Sequence, residues 1–335
     1  MSAATITAVI PVWNGREWLE RLLDTLAAQT TPATEWIAVD NGSTDGAPEI
    51  ARERGACVIS MGRNSGFAAA VNRGIQASRG DWIAVLNTDV ELASDYFEKL
   101  IAAAAQENAW FATGKILSTG TQDQIDGVFD ALCRGGTAWR VGQARIDGPL
   151  FSVPRTIWSA PWTAAVFRAE LFRRVGALEE SFESYLEDVD FGLRCALSGC
   201  SGCYVPGAVA WHRGSAALGT WHPDTVRRLS RNQLLLIARH YPPQLLRRRV
   251  WHILVAQMLW ACVALRHGAG WAWLRGKWQG IGRFRAIRSQ RKYAEAAVLE
   301  GHLREQEHEI CKFQQATRWD LYWRMYFLLT RSEAK

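Results

Sequence analysis

This 335-residue chain has little that would carry it across or out through a membrane. Its uncharged run Val250 to Leu265 would reach about 24 Å as a helix, short of the roughly 30 Å hydrocarbon core. That length predicts a helix lying in the membrane interface, with Trp251 and Trp260 on it and Arg249 and Arg266 at its ends. A helix packed on the body is the other reading. The start of the chain lacks a secretory pattern: Met1 to Thr7 passes into a strand without a basic segment and an apolar one behind it, which predicts a cytoplasmic active part. No Gly/Ser-rich linker marks a boundary, and nothing repeats at a fixed period. Acidic residues are nearly missing from 222–292, which holds 15 Lys and Arg against Asp224 alone, so the rest of the chain is net negative. Such a block suits an anionic membrane surface or a nucleic acid. A second Cys-x-x-Cys pair is also missing. Cys195, Cys200, Cys203 and His212 could be drawn as a zinc site, but one pair is weak grounds, and Cys203 falls in an apolar strand pattern that favours packing.

What is present is an ordinary apolar content, 48%, and an excess of indoles, 17 Trp, some of which are expected at an interface. The first hundred residues alternate strand and helix, the pattern of a parallel sheet with covering helices. Strands are expected over Ala4 to Val12, Trp36 to Val39, Cys57 to Met61 and Trp82 to Leu86. Between and after them come helices carrying Leu19, Leu22, Leu23 and Leu26 on one face, a short one near Pro48, a small-residue one over Gly66 to Ala77, and one over Tyr96 to Ala105. From Phe111 to His212 the pattern loosens, with helices expected at Ala169 to Val175 and Val189 to Leu197. Beyond Trp221 the chain reads as helical. The expected division is a body over 1–221, with a nucleotide-binding half (1–110) and an acceptor half (111–221), and a basic, Trp-rich helical region over 222–335.

Two acidic signatures stand out. Asn87-Thr88-Asp89 ends an apolar run, which puts a carboxylate at the carboxyl end of a strand, where open α/β sheets place their ligands. Glu187-Asp188-Val189-Asp190 opens an amphipathic segment, so several carboxylates converge at a helix start. One of them could act as a general base; all three could equally be acids on a helix dipole. With the lone His212 in His212-Arg213-Gly214-Ser215, the set points to group transfer from a nucleotide-activated donor. Nucleotidyl transfer on a similar sheet would call for a Gly-rich triphosphate loop with a Lys or Arg, where this chain has only Trp13-Asn14-Gly15-Arg16.

Taken in order, Val9-Ile10-Pro11-Val12-Trp13-Asn14-Gly15, Val39-Asp40-Asn41-Gly42-Ser43-Thr44-Asp45-Gly46, Asn64-Ser65-Gly66-Phe67-Ala68-Ala69-Ala70-Val71-Asn72, Leu86-Asn87-Thr88-Asp89, Tyr185-Leu186-Glu187-Asp188-Val189-Asp190-Phe191 and His212-Arg213-Gly214-Ser215 resemble the motif series of family 2 glycosyltransferases. The series is most similar to the rhamnosyltransferase-like branch and covers residues 5 to about 240. The resemblance implies an α/β GT-A fold, Rossmann-like with a mostly parallel central sheet, a C-terminal helical membrane-associated region, and inversion at the anomeric centre. It implies a dTDP- or UDP-sugar donor held by Pro11, Asp40, Arg63, Asn64, Gly66, Asn72 and Asn87. Asp40 would accept from the pyrimidine N3–H, and Arg63 would face the diphosphate. Asp89 and His212 would hold a divalent Mg or Mn, with Asn87 in place of the first carboxylate of the Asp-x-Asp that many relatives carry. Asp188 is the implied catalytic base, with Glu187 and Asp190 as alternatives. The implied acceptor is a lipid-linked saccharide or surface polysaccharide at the inner face of the cell membrane, with dTDP-rhamnose the first choice of donor and no nucleic acid as partner.

Overall fold

The computed structural model describes residues 4–121, 123–214, 221–289 and 293–331. Ser215, the last residue of the sixth motif, and Arg291 and Lys292 of the basic block lie outside them. The chain divides into two compact units, Met1–Asp130 with Gly142–Ala217, and Ala131–Val141 with Leu218–Lys335.

The first unit opens with β1 (Ile6–Val12), α1 (Arg16–Ala27), β2 (Glu35–Asp40), α2 (Ala47–Glu53), β3 (Cys57–Ser60), α3 (Phe67–Ala77) and β4 (Trp82–Leu86). These strands run parallel in the order β3-β2-β1-β4. β4 is buried at all five positions because both faces of the sheet are covered, which is why it reads as an unbroken apolar run. α1 presents Leu19, Leu22, Leu23 and Leu26, all buried. α3 is built of small residues because it lies close on the sheet: a Cβ at Gly74 would stand 2.3 Å from Val9 Cγ1.

Beyond β4 the sheet becomes mixed. β5 (Val90–Leu92), α4 (Tyr96–Gln106), β6 (Phe111–Ser118), β7 (Gln124–Gly127), β8 (Asp130–Leu132), β9 (Ala138–Arg140), β10 (Arg145–Ile146), β11 (Arg155–Ile157), β12 (Ala164–Arg168), α5 (Ala169–Val175), α6 (Glu187–Leu197) and β13 (Gly202–His212) follow. β12 inserts antiparallel between β4 and β6. β13 runs parallel to β6 and antiparallel to β5 and β11. The sheet is therefore uniformly parallel only in its first half, and the antiparallel strands bring distant chain segments to its edge.

The second unit holds the β8–β9 hairpin and the helices α7 (Pro223–His240), α8 (Pro243–Arg266), α9 (Gly270–Ser289), α10 (Ala296–Ala316) and α11 (Leu321–Thr330). The hairpin is tied to these helices. The Leu132 N–H donates to Gln306 Oε1 at 3.0 Å, Thr137 shares a hydrogen bond with Tyr322, and Arg134 pairs with Glu307. Gly135 is needed there, since a Cβ would stand 2.8 Å from the His252 carbonyl oxygen. Among the described residues no helix is long and apolar enough to cross a membrane. The run Val250 to Leu265 sits within α8, where His252, Val255, Ala256 and Ala264 are buried while Val250, Trp251, Leu254, Met258 and Leu265 are exposed.

Candidate active site

The carboxyl ends of β1, β2 and β4 lie side by side, and the motif residues follow each of them. Pro11 pairs with Val39 one step before the end of β1, beyond the last pairing with β4 at Val9 and Val85, where a missing N–H costs no ladder bond on that side. Asp40 ends β2 and is buried. Its carboxylate accepts from Ser43 N–H at 2.8 Å and from the Ser60 hydroxyl at 3.3 Å, which fixes its direction at the sheet edge. The loops after β1 and β2 are cross-linked: Asn14 N–H donates to the Ser43 hydroxyl, Thr44 N–H to Asn14 Oδ1 and Arg16 N–H to Asp45. Arg63 and Asn64 are exposed on the loop after β3. Gly42 packs under that loop, 2.8 Å from Arg63 Cα to an added Cβ.

Two of the proposed donor residues are committed within the protein. Asn64 Oδ1 accepts from Asn41 and from Gly66 N–H, holding the turn into α3. Asn72 is buried, its amide nitrogen donating to the Leu178 carbonyl and Glu180 while its oxygen accepts from Leu178 N–H. It joins α3 to the segment leading to the acidic motif. Gly66 performs the same task through its backbone. It has φ +93°, and a Cβ there would meet the Glu183 carbonyl oxygen at 2.8 Å, while Ala68 N–H donates to that oxygen.

From this anchorage the chain enters α6 through Glu183, Tyr185 and Leu186, all three with positive φ and none a glycine. Strain of this kind persists where the surroundings over-determine it, and it collects at functional sites. It delivers three acids with three environments. Asp190 is fully buried and pairs with Arg194 at 3.0 Å, and Arg194 also donates to the carbonyls of Val175 and Ala177. Arg194 thus clamps α6 to the end of α5. Glu187 is buried, whereas Asp188 is only half-buried, one oxygen accepting from Val189 N–H at 2.8 Å. Of the three, Asp188 alone is both held and reachable. α6 is seated by Phe191 in a cluster with Trp162, Phe167 and Phe172. Its Gly192 admits Ser159, whose hydroxyl donates to the Asp188 carbonyl. Four residues on, the Thr163 carbonyl accepts from Asn87 N–H. One strap thus connects the start of α6 to the end of β4.

Asp89 follows that end, and the β5–β13 pairing sets His212 beside Val90. His212 Nε2 lies 3.2 Å from Asp89 Oδ1, and its Nδ1 lies 3.0 Å from Asp126 Oδ2. Asp126 carried no sequence signal: it is one acid in the four-residue β7, brought here because β6 pairs with both β7 and β13. Burial opposes a charge on this imidazole, but hydrogen bonds to Asp126 and Asp89 outweigh it, and the pKa is pushed up to about 9. Nε2 faces the Asp89 carboxylate, and a divalent cation held by both would stand between them. A carboxylate orienting the far nitrogen of a ligating histidine is the usual support for such a ligand. A carboxylate and an imidazole this close fit a hard divalent cation. Among the described residues no group of three or more His, Cys, Asp or Glu forms a cation cage by itself. His212, the fourth residue of the zinc alternative, is turned instead to Asp89 and Asp126, and Cys195, Cys200 and Cys203 are buried free thiols.

Two solved structures share the GT-A fold with this one. A crystal structure of GalNAc-T7 with UDP, GalNAc and Mn2+ superposes with a TM-score of 0.63 at 14% identity, over 94% of this chain and 58% of that one. Mannosyltransferase PcManGT from Pyrobaculum calidifontis, in complex with GDP-Man and Mn2+, gives 0.52 at 16% identity, over 98% of this chain and 86% of that one. The sequence profile of glycosyl transferase family 2 matches residues 7–176, and the chain belongs to that family. It is similar to the N-acetylglucosaminyl-diphospho-decaprenol L-rhamnosyltransferase of Mycobacterium tuberculosis (strain ATCC 25618 / H37Rv), 28% identical over 249 residues, 64% of this chain and 79% of the relative. A shorter match, 32% identical over 112 residues and 32% of each chain, is to the putative glycosyltransferase EpsH of Bacillus subtilis (strain 168).

Proposed function

We propose that this glycosyltransferase moves a sugar from a nucleotide-diphosphate donor to a lipid-linked saccharide, with inversion at the anomeric carbon. The carrying observation is the Asp89–His212–Asp126 relay at the carboxyl edge of the parallel strands. dTDP-rhamnose is the first choice of donor and a polyprenyl-diphosphate saccharide the first choice of acceptor, supported by the activity named for the mycobacterial relative. The place of reaction is then the cytoplasmic face of the cell membrane. A UDP-sugar donor is the second choice, since Asp40 would accept from the N3–H of uracil as readily as of thymine.

In the reaction the acceptor hydroxyl oxygen bonds to the anomeric carbon as the bond from that carbon to the diphosphate oxygen breaks. The hydroxyl proton passes to the Asp188 carboxylate, and the nucleoside diphosphate leaves. Asp40 and the backbone beside Pro11 hold the base. Asn87 and Arg63 face the phosphates, and Arg63 is free to swing because it is exposed. A divalent cation on Asp89 and His212 would neutralise charge on the leaving diphosphate. Asp126 keeps the His212 ring turned to that position.

A thermal-shift panel of dTDP-, UDP- and GDP-sugars with and without Mg2+ or Mn2+ tests the reading, because a donor stabilises the fold it binds by mass action. A rise with one pyrimidine nucleotide sugar, enlarged by metal, is expected. No rise with any of them refutes it.

A further inference from the structure

Helix α9 is packed inside out. Its buried face carries Ala272, Gly276, Lys277 and Gly280. A Cβ at Gly276 would stand 2.2 Å from the Arg227 carbonyl oxygen, and one at Gly280 2.9 Å from Leu234 Cδ1. Glycines four apart let α9 lie against α7 at backbone distance. The large apolar side chains go the other way: Trp271 is 77% exposed, Trp278 78% and Ile281 67%. With Leu274, also exposed, they stand at i, i+3, i+7 and i+10, one face of a helix. A helix whose apolar stripe is buried in a water-surrounded core shows the reverse arrangement.

Charge says what covers this face. α9 contains no acidic residue, and Arg275, Arg283 and Arg285 are exposed along it. A second copy of the same face would bring together two patches that carry arginine and no acid, since a two-fold contact sets one patch against itself. An anionic bilayer matches both features. Its phosphates take the guanidinium groups, and indole rings are at home in the headgroup layer, half apolar and half wet. With four Arg and Lys277 the helix is too polar to span, so it lies along the surface. We infer that the outward face of α9, Trp271, Leu274, Trp278 and Ile281 with its arginines, is a docking surface for an anionic lipid bilayer. The inference deepens the membrane-linked acceptor proposed above, yet it involves neither donor nor transfer, so each can fail alone.

The test is sedimentation of the full-length protein with vesicles of phosphatidylcholine, alone or mixed with phosphatidylglycerol. Wild type should partition at least tenfold more onto the mixed vesicles, and high salt should release part of it. Trp271→Ser with Trp278→Ser should cut that partition at least tenfold, with helicity and nucleotide-sugar thermal shift unchanged. If that variant does not fold, Arg275→Gln with Arg285→Gln should lower binding to the anionic vesicles alone. Equal partition of both vesicle types, wild-type protein that stays in the supernatant, or a wild-type dimer that the Trp variant turns into a monomer would each overturn the inference, the last in favour of a second copy. Transfer to a water-soluble acceptor without vesicle binding would sink this inference and leave the proposed reaction standing.

Discussion

Gly66 and Glu183 touch through their backbones, so closely that a side chain on Gly66 would overlap the Glu183 carbonyl. The helix start expected to line the donor pocket and the strained turn that presents Asp188 are therefore one assembly. Gly66→Ala should lower turnover at saturating donor by tenfold or more and destabilise the protein by about 1–3 kcal/mol. Urea unfolding and steady-state kinetics read both; wild-type values in each would show the contact to be slack.

Asn72 belongs to the same assembly. Asn72→Ala leaves the buried N–H and carbonyl of Leu178 without this partner and should cost about 2 kcal/mol or more of stability. Nucleotide affinity measured by calorimetry below the melting transition should stay near wild type. A large loss of affinity with unchanged stability would place Asn72 in the pocket instead.

Asp188→Asn keeps the hydrogen bond to Val189 but cannot take up a proton. Turnover should fall by roughly 10² to 10⁴ with donor binding retained. Asp190→Asn should behave differently, destabilising by about 3 kcal/mol because it breaks a buried pair with Arg194. NMR of the product should show inverted anomeric configuration. Retention, or a normal rate for Asp188→Asn, would mean the base is misassigned.

Asp89→Ala should abolish metal-dependent turnover. Asp126→Asn should weaken metal affinity by about 10- to 100-fold while leaving both proposed ligands in place, because it removes the charge that orients His212. Titration of Mn2+ monitored by calorimetry separates the two variants. Unchanged affinity in Asp126→Asn would reduce that carboxylate to a sheet contact.

His252 gives a pH signature in the helical unit. Burial and the nearby Arg134 and Arg249 push its pKa down to about 4. A histidine depressed in the fold takes up its proton more readily when unfolded, so its contribution is fully present above about 6.5 and is lost as pH falls toward 4. Melting curves across that window should show the slope, and His252→Gln should flatten it.

The parallel half of the fold was legible because its central strands β1 and β4 are buried on both faces and α1 shows a 3.6-residue stripe. β4 and α5 fall where the apolar pattern places them, and Leu19, Leu22, Leu23 and Leu26 are buried as their spacing requires. The short strands β5, β7 and β10 were not legible, since two to four residues are too few to show a period. Nor was the membership of residues 131–141, which lie far in sequence from the helices they join.

The sequence by itself determined which residues are candidates for the chemistry: the ordered motifs, through their resemblance to a family series, name Asp40, Asp89, Asp188 and His212 without reference to any contact. Only the tertiary structure decided how these groups are poised. It turned Asn72 and Asn64 toward the scaffold, paired Asp190 with Arg194 and so left Asp188 the reachable acid, and added Asp126 behind His212. The reason is that local sequence sets a side chain's identity and its element. Which two side chains meet depends on strand order, and here the antiparallel pairing of β13 with β5 joins residues more than a hundred positions apart.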